Sequence, residues 1–277
     1  MIKIAVYSVK GGVGKSSVSA GLCYALRDLG LRVGYCEIDI SGTSGHKAFG
    51  LKAPPLIELD TFQEKMIPPL VNGVRVFCLA SKFTEDSAVG WRDMDREVQL
   101  SNGHKVVDKG RRGFIEEILT KTIDWVDTEW VVYDLPPSTS TEVWAYFNYI
   151  EDLFGVIVVS QPSEISVVGL KKTIDFLKRE QRPILGMVSN MDGYLCKHGE
   201  VEYQFTSPRV DLKALAKQEK IRFLVSIPQS GNIETLKPYF ATLAEQVLQA
   251  EPKVLKKDQF SLRERTERRL IKGILGI

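Results

Sequence analysis

Short runs of apolar, mostly β-branched residues recur along the chain and alternate with longer stretches of helical periodicity. Continuous runs of about four to eight such residues are typical of strands that are buried on both faces. They predict strands at residues 2–9, 32–38, 74–79, 130–135, 153–160, 184–189 and 223–227. Residues 16–29 have the spacing of a helix that Gly30 closes, so the chain is expected to open as strand, loop and helix.

The alternation of strands and helices predicts an α/β fold, with a mostly parallel, doubly wound sheet covered by helices on both faces. Ligands of such sheets bind beyond the carboxyl ends of the strands. We assign residues 1–250 to this domain and residues 251–277 to a C-terminal tail. Residues 100–111 are polar and rich in turn formers, which indicates an exposed loop or small hairpin inserted before the next helix.

The composition excludes several classes of protein. With 277 residues, 44% of them hydrophobic and 26% charged, the chain fits neither a disordered nor a fibrous protein. Four cysteines without a CxxC pair argue against a disulfide framework, and Cys23, Cys36 and Cys78 are predicted to lie in the core. We find no signal-peptide pattern and no uncharged run of ~18 apolar residues, so a cytoplasmic location is expected.

The strongest chemical signal is the glycine-rich segment 9–16, VKGGVGKS, between the first strand and the first helix. Glycines let several backbone N–H groups converge on a phosphate at the positive end of the helix dipole. Lys15 is expected to reach the β and γ phosphates of ATP, and the Ser16 hydroxyl to bind Mg²⁺. The residues predicted to contact the nucleotide here are Gly11, Gly12, Val13, Gly14, Lys15, Ser16 and Ser17.

Two acidic residues follow predicted strands that end at the same edge. Carboxylates at this edge can hold Mg²⁺, directly or through water, and can orient an attacking water. We assign Asp39 to water positioning and to the Mg²⁺ environment, and Asp134 to the Mg²⁺ shell. Taken alone, Asp134 would also suit a simple cap at a strand end.

The glycine-rich segment has Val9 where a general Walker A motif has glycine, and Lys10 is an additional lysine. In both respects it resembles the deviant phosphate loop of the MinD, ParA and Mrp/NBP35 ATPases. The resemblance implies an ATP-dependent homodimer, in which Lys10 reaches the phosphates of the partner subunit and assists catalysis together with Lys15 and Asp39.

Further segments are similar to the Mrp/NBP35 (ApbC-like) branch in particular. They are residues 37–50, 88–92, 134–139, 186–196 and 227–228, which read EIDISGTSGHKAFG, AVGWR, DLPPST, GMVSNMDGYLC and IP. The resemblance implies that Asn190 contacts adenine, since an amide reads a purine edge as donor and acceptor together, and that Pro228 borders the nucleotide. An isolated Asn after a strand is more often a turn former.

The chain also departs from that branch. Glu37 stands where the branch has Asp, Thr43 and His46 replace prolines, and Ser138 and Thr141 replace a Gly and an Asp. His46 and His104 lack partners at ligand spacing and are interpreted as loop residues.

The metal motif is changed as well. The branch has a CPxC motif, and two subunits together offer four thiolates to an iron–sulfur cluster, whereas here Cys196 is followed by Lys197, His198 and Gly199. Two Cys196 and two His198 side chains across a dimer would make a Cys₂His₂ site for iron or zinc. The alternatives are a loop that has lost its metal and a separate role for Cys196.

The tail carries most of the basic charge. Residues 253–277 contain eight basic and three acidic side chains, whereas the net charge of the whole chain is +2. The pattern predicts an amphipathic basic helix, with one apolar and one basic side. The residues on these sides are Leu262, Leu270, Ile271, Ile274 and Leu275, and Arg265, Arg268, Arg269 and Lys272. Such a helix suits an anionic membrane, packing on the body or a protein partner, and, less well, nucleic acid.

Two functional hypotheses result. In the first, the protein is a Mg²⁺-dependent, dimeric ATP hydrolase that acts as a switch for an iron–sulfur cluster carrier or scaffold with apo-protein partners. In the second, it is a MinD-like positioning or regulatory ATPase that is peripheral at the membrane. Nitrogenase iron protein shares the deviant loop, but residues 134–142 lack the cysteine that its cluster needs.

Overall fold

The computed structural model describes residues 1–37, 39, 45–60, 65–79, 96–99, 105–108, 110–139, 141–203 and 208–254. Within these ranges the chain forms a ten-stranded main sheet and two small hairpins. The strands are β1 (Ile2–Tyr7), β2 (Val33–Glu37), β3 (Glu58–Asp60), β4 (Lys65–Ile67), β5 (Leu70–Val71), β6 (Val74–Cys78), β7 (Arg96–Gln99), β8 (Lys105–Asp108), β9 (Trp130–Asp134), β10 (Leu153–Ser160), β11 (Pro183–Leu195), β12 (Val201–Glu202), β13 (Phe223–Gln229) and β14 (Lys253–Val254).

Helices fill most of the connections between the long strands. They are α1 (Lys15–Asp28), α2 (Gly45–Ala48), α3 (Gly110–Glu117), α4 (Thr141–Tyr149), α5 (Glu164–Arg179), α6 (Leu212–Gln218) and α7 (Lys237–Leu248). One wide helical turn continues α3 over Ile118–Thr122, and a 3₁₀ turn over Ile233–Leu236 precedes α7.

Seven parallel strands form the centre of the main sheet, in the order β13, β11, β10, β1, β9, β2 and β6. They are the seven strands that the apolar runs predict, so the α/β fold with a mostly parallel sheet is confirmed. The short strands β5, β12 and β14 add to the sheet in antiparallel orientation. The prediction for β11 ended too early, since this strand continues past residue 189 to Leu195.

Side chains of the parallel strands alternate between two hydrophobic layers. On β1, Ile4 and Val6 belong to the layer under α1 and α7, whereas Ala5 and Tyr7 belong to the layer under α3, α4, α5 and α6. Each buried Val, Leu or Ile side chain contributes about 1.5–3 kcal/mol. The helices therefore cover both faces of the sheet, and the carboxyl ends of its strands are left open to a ligand.

Close packing of α1 against α7 depends on one small residue. A Cβ atom on Gly21 would lie 2.2 Å from the ring of Phe240. The ring therefore occupies the space above Gly21, and this contact fixes α7 beside the helix that follows the glycine-rich loop.

Several interpretations made from the sequence can be compared with this fold. His46 is not a loop residue, because it lies in α2 and is fully buried. The prediction that Cys23, Cys36 and Cys78 are core residues is confirmed, since all three are at most 1% exposed. Of the predicted insertion at residues 100–111, the described residues 105–108 form β8, which pairs antiparallel with β7 just before the insertion.

Some of the sequence-based interpretations lie outside the described residues. These are the segment 88–92, Thr43, His104 and the tail residues 256–277. Among the helices that the structure describes, none has the length and hydropathy that crossing a bilayer would require.

Candidate phosphate and nucleotide site

The glycine-rich loop connects β1 to α1 at the carboxyl edge of the sheet. Gly12 and Gly14 adopt φ values of +74° and +83°, in the left-handed region that glycine enters without steric cost. Gly14 is the N-cap of α1, and no side chain caps that end of the helix. The first N–H groups of α1 are thus left to an external acceptor, and the helix dipole favours an anion there.

Lys15, the first residue of α1, is brought beside the acidic edge of the sheet. Its side chain is 8% exposed. Burial lowers the pKa of the Lys15 ammonium, and the negative charges of Asp134 and Asp39 partly oppose this shift. The structure therefore places Lys15 near both carboxylates that the sequence assigns to Mg²⁺ and water.

Asp134 ends β9 between β1 and β2, where it pairs in register with Val6 and Glu37. Its carboxylate is 4% exposed and accepts a hydrogen bond of 2.9 Å from the Tyr35 hydroxyl. Ser19 lies further away, with its hydroxyl 3.4 Å from the carboxylate.

The electrostatic environment of Asp134 disfavours its charge. Burial raises the pKa of Asp134, while a hydrogen bond from Ser16, the charge of Lys15 and the hydrogen bond from Tyr35 oppose the increase only in part. The site thus holds a buried carboxylate beside a serine hydroxyl, and both are oxygen ligands of the kind that a hard cation binds. A divalent cation here would compensate the buried negative charge.

Glu37 lies on the strand next to Asp134 and holds the start of α2. Its carboxylate accepts a hydrogen bond of 2.8 Å from the backbone N–H of Gly45. Asp39 follows two residues later and is half-buried. Both lie at the same sheet edge as the glycine-rich loop, as the sequence predicts.

Lys10 points toward the opposite helical layer from Lys15. Its ammonium donates a hydrogen bond of 2.8 Å to the Ser166 hydroxyl near the N-terminus of α5. Gly169 of the same helix lies close to the lysine, since a Cβ atom there would come within 2.9 Å of Lys10 Cβ. In this conformation Lys10 contacts its own chain.

Gln161 was not identified from the sequence, although it joins three parts of the site. Its amide nitrogen donates to the carbonyl of Gly12 across 3.3 Å and contacts the sulfur of Met191. Its carbonyl lies 3.3 Å from the Ser166 hydroxyl. A glutamine after a strand is too common a residue to signal such a position.

Asn190 lies against the glycine-rich loop. Its Nδ2 atom donates a hydrogen bond of 2.9 Å to the carbonyl of Val13. A Cβ atom on Gly14 would lie 2.2 Å from that nitrogen. Pro228 is buried on β13, one residue after Ile227, which pairs with Asn190. The structure therefore brings Asn190 and Pro228 together beside the loop.

Cys196 and His198 lie on the turn between β11 and β12. The backbone N–H of Gly199 donates to the carbonyl of Cys196 across 3.0 Å, which closes a tight turn. Cys196 is half-buried and His198 is exposed. No group of three or more His, Cys, Asp or Glu side chains suited to a metal occurs among the described residues.

A cavity of about 610 Å³ adjoins this turn. It is lined by residues of the β11–β12 hairpin and of the segment that leads into α7, among them Tyr194, Cys196, Ser230, Asn232 and Tyr239. Cys196 is the one cysteine in the described lining of this cavity, whose polar side chains are otherwise hydroxyl, amide and ammonium groups.

The comparisons with known proteins identify the family of this chain. A family profile described as "ParA: NUBPL iron-transfer P-loop NTPase" matches residues 1–251. Among curated proteins, the iron-sulfur cluster carrier protein of Saccharolobus solfataricus is 28% identical over 235 residues, which cover 83% of this chain and 72% of that protein. The cytosolic Fe-S cluster assembly factor NUBP2 homolog of Dictyostelium discoideum is 30% identical over 241 residues, covering 83% and 82%.

One solved structure has a similar fold. The nucleotide-binding protein from Archaeoglobus fulgidus in complex with ADP has a TM-score of 0.63 and 26% sequence identity, and the match covers 88% of this chain and 87% of that one.

Proposed function

The chain belongs to the ParA family of P-loop NTPases, in its iron-transfer group, and from this premise we propose that it is a Mg²⁺-dependent ATPase that works as a homodimeric switch in iron–sulfur cluster assembly or transfer. One observation carries the nucleotide part of the proposal. The uncapped N-terminus of α1, Lys15 and the buried Asp134 converge at one edge of the sheet.

Each residue of this edge has a proposed task. Gly11, Gly12 and Gly14 let backbone N–H groups approach the phosphates, and Lys15 neutralises the β and γ phosphates. Mg²⁺, when bound, supplies positive charge to the same oxygens, and the residues that would hold it are Ser16, Asp39 and Asp134. Asp39 would also orient the attacking water.

The remaining nucleotide contacts come from Asn190 and Pro228, on the other side of the loop, which are proposed to border the base. We propose that Lys10 leaves Ser166 and reaches the phosphates of a second copy when ATP closes the dimer. Hydrolysis would then reopen it. Residues 1–250 would form the switch, with residues 251–277 as an appended tail.

ATP binding is the first thing to measure. We expect a fluorescent ATP analogue to bind the full chain in the presence of Mg²⁺, and Lys15→Gln to lose most of that affinity because it removes the cation at the phosphates. Lys213→Gln is the matched control, since this lysine is exposed on α6. An absence of ATP binding in the wild-type chain would refute the nucleotide proposal.

The cargo proposal rests on the relatives that are named iron-sulfur cluster carrier and assembly proteins and on the accessible Cys196. The cluster would be cargo that two copies share through Cys196 and His198. Iron and acid-labile sulfide per dimer should be measured after anaerobic reconstitution. We expect Cys196→Ala to lose the cluster and Lys197→Ala, in the same turn, to keep it. Equal iron content in wild type and Cys196→Ala would contradict the assignment.

The tail supports a second candidate function. Its five apolar residues at helical spacing and its excess of basic side chains favour contact with an anionic membrane, as in MinD-like positioning ATPases. We propose to compare the full chain with a chain that ends at Lys256 in sedimentation with anionic liposomes and ATP. Sedimentation of the full chain alone would support this function, and equal sedimentation of both would count against it.

A further inference from the structure

A bulge in β11 sets the direction of the Asn190 side chain. Asn190 pairs with Ile227 of β13, and the next pair in register joins Tyr194 to Gln229. Three residues of β11, 191–193, therefore lie opposite the single residue Pro228. Met191 and Gly193 adopt φ values of +55° and +86°. An insertion of this kind bends a strand and redirects the side chains beside it.

The middle residue of the bulge, Asp192, is held by four hydrogen bonds. Its carboxylate accepts from the hydroxyls of Ser189 at 2.9 Å and Ser226 at 2.8 Å. Arg209 donates to it from Nε at 2.8 Å and from Nη2 at 3.1 Å, one to each carboxylate oxygen. Asp192 is 4% exposed, so these bonds compete little with water.

The hydrogen bonds are strong enough to keep Asp192 charged in spite of its burial. Burial alone would raise the pKa of Asp192, but the hydrogen bonds from Arg209, Ser226 and Ser189 outweigh it and lower the pKa. Bidentate arginine–carboxylate pairs also fix the relative orientation of their two planes. The carboxylate therefore holds the bulge in one position.

Arg209 is itself fixed from two other directions. Its guanidinium lies over the ring of Tyr203, 4.5 Å from the centroid. Its backbone pairs with Ser163 in an isolated antiparallel bridge, and the N–H of Val210 donates to the carbonyl of Pro162 across 3.0 Å. Arg209 thus connects the bulge of β11 to the loop between β10 and α5.

Both connected segments contact the glycine-rich loop at adjacent carbonyls. Asn190 donates to the carbonyl of Val13, and Gln161, just before Pro162, donates to the carbonyl of Gly12. If the Asn190 amide turned over, it would present its oxygen to the Val13 carbonyl and lose this bond. The remaining N–H and the oxygen of Asn190 are thereby kept in a fixed arrangement of one donor and one acceptor.

This arrangement discriminates between purines. Adenine offers an amino donor and a ring-nitrogen acceptor on neighbouring atoms, whereas guanine offers two acceptors at the equivalent positions O6 and N7. A side-chain amide suits adenine in one of its two orientations, whereas in either orientation it leaves one of its groups unmatched with guanine. A fixed Asn190 keeps the orientation that suits adenine, so loosening it weakens adenine binding and changes guanine binding little. Discrimination therefore depends on how firmly Asn190 is held.

We propose that Arg209, through its ion pair with Asp192, is the positioning residue that fixes Asn190 and gives the nucleotide site its preference for adenine over guanine. The inference rests on the proposed nucleotide-binding function and adds a specificity determinant to it. Arg209 acts through Asp192 and Asn190 and does not itself touch the nucleotide.

The test compares affinities for fluorescent analogues of ATP and GTP, with Mg²⁺ and the full chain. Wild type should prefer the ATP analogue. Arg209→Gln should weaken ATP-analogue binding by roughly tenfold, equivalent to about 1.4 kcal/mol, and GTP-analogue binding by much less, because phosphate contacts do not depend on the base. The ratio of the two affinities should therefore fall, and Arg209→Lys should restore part of it.

Matched variants separate positioning from a general effect on folding. Arg179→Gln breaks an exposed arginine–aspartate pair on α5, with Asp175 at 2.6 Å, and should leave the ratio unchanged. Ser226→Ala removes one hydrogen bond to Asp192 while keeping the ion pair, so it should lower the ratio less than Arg209→Gln does.

Three results would overturn the inference. They are an Arg209→Gln chain with both affinities unchanged, an Arg209→Gln chain with both affinities reduced equally, which would mark Arg209 as purely structural, and a wild-type chain without base preference. A wild-type chain that binds neither analogue would instead refute the proposed function, and this inference with it.

Discussion

The Lys10 ammonium donates a hydrogen bond of 2.8 Å to the Ser166 hydroxyl, across 156 residues of sequence. Ser166 is fully buried, and its hydroxyl also lies 2.9 Å from that of Ser163, the N-cap of α5. A lysine held in this way cannot at the same time extend to a second chain. The proposed dimer therefore has to break this bond before it closes.

Removal of the acceptor should favour the dimer. We expect Ser166→Ala to strengthen ATP-dependent dimerisation by roughly tenfold or more, since a hydrogen bond to a charged group contributes about 1.5–3 kcal/mol and 1.4 kcal/mol is about tenfold. Lys10→Ala should abolish both dimerisation and ATP turnover. Sedimentation velocity with and without ATP measures the dimerisation of each variant. Lys171→Ala, an exposed lysine of α5, is the control, and a Lys10→Ala chain that dimerises like wild type would refute the trans role of Lys10.

Asp134→Asn should stabilise the nucleotide-free protein and remove its response to Mg²⁺. The pKa of Asp134 is higher in the folded than in the unfolded chain. Its contribution to the free energy of unfolding is therefore fully present below pH ~4, where the carboxyl group is protonated. That contribution is lost as the pH rises through the folded pKa. At neutral pH the buried carboxylate is destabilising, as is common at functional sites. The neutral amide should raise the free energy of unfolding by about 1 kcal/mol.

Thermal unfolding of the Asp134→Asn variant, with and without ATP and Mg²⁺, checks both effects. Asp127→Asn is a suitable control, because Asp127 forms only an exposed ion pair with Arg32 and should change stability by less than about 0.5 kcal/mol. A less stable Asp134→Asn chain, or one that Mg²⁺–ATP stabilises as much as wild type, would contradict the proposed role of Asp134.

Ser138→Gly should stabilise the chain. Ser138 adopts a φ of +115°, where a side chain is strained by about 1–3 kcal/mol, and the Tyr7 hydroxyl donates to its carbonyl. The glycine keeps that hydrogen bond and relieves the strain, with a net gain of up to about 1 kcal/mol after its larger entropy loss. Urea denaturation measures the gain.

The neighbouring residue provides the control for Ser138. Thr139 is not among the described non-glycine residues that have a positive φ. Thr139→Gly should therefore lose about 0.5–1 kcal/mol. If both glycine variants shift stability in the same direction, backbone strain at Ser138 is not the cause.

The four cysteines should react with a thiol reagent at two clearly different rates. Cys196 is half-buried and therefore accessible to the reagent. The other three thiols, Cys23, Cys36 and Cys78, are buried, and burial raises their pKa well above the usual range, which leaves them unreactive. We expect one fast thiol in the native chain, four after denaturation and none that is fast in Cys196→Ala. Two or more fast native thiols would contradict the packing around the buried cysteines.

Local sequence determined the central sheet because its strands are continuous apolar runs, which are buried on both faces wherever they lie in a parallel sheet. The glycine-rich loop was equally predictable, since its glycines and its position before a helix are adjacent in sequence. β11 was predicted too short because Asn190, Asp192 and Gly193 are turn formers, although here they form a bulge inside a paired strand.

The contacts that assemble the site were not predictable. These contacts join residues from different elements of the chain, and a sequence pattern does not show which of them meet in the fold. They are the contacts of Lys10 with Ser166, Tyr35 with Asp134 and Arg209 with Asp192. His46 was misinterpreted for a related reason. It lacks partners at ligand spacing, which suggested a loop residue, whereas tertiary packing buries Gly45 and His46 at the start of the short helix α2.

Asn190 and Cys196 are carried by the same stretch of backbone, since β11 runs through the bulge and ends one residue before the cysteine. Five residues lie between them, so the two are at most about 20 Å apart along an extended chain. The length of this strand segment therefore limits the distance between the Cys196 thiol and the proposed nucleotide site. The bulge at Asp192 lies between the two. A substitution that displaced the bulge would therefore be expected to change the position of Cys196 together with that of Asn190.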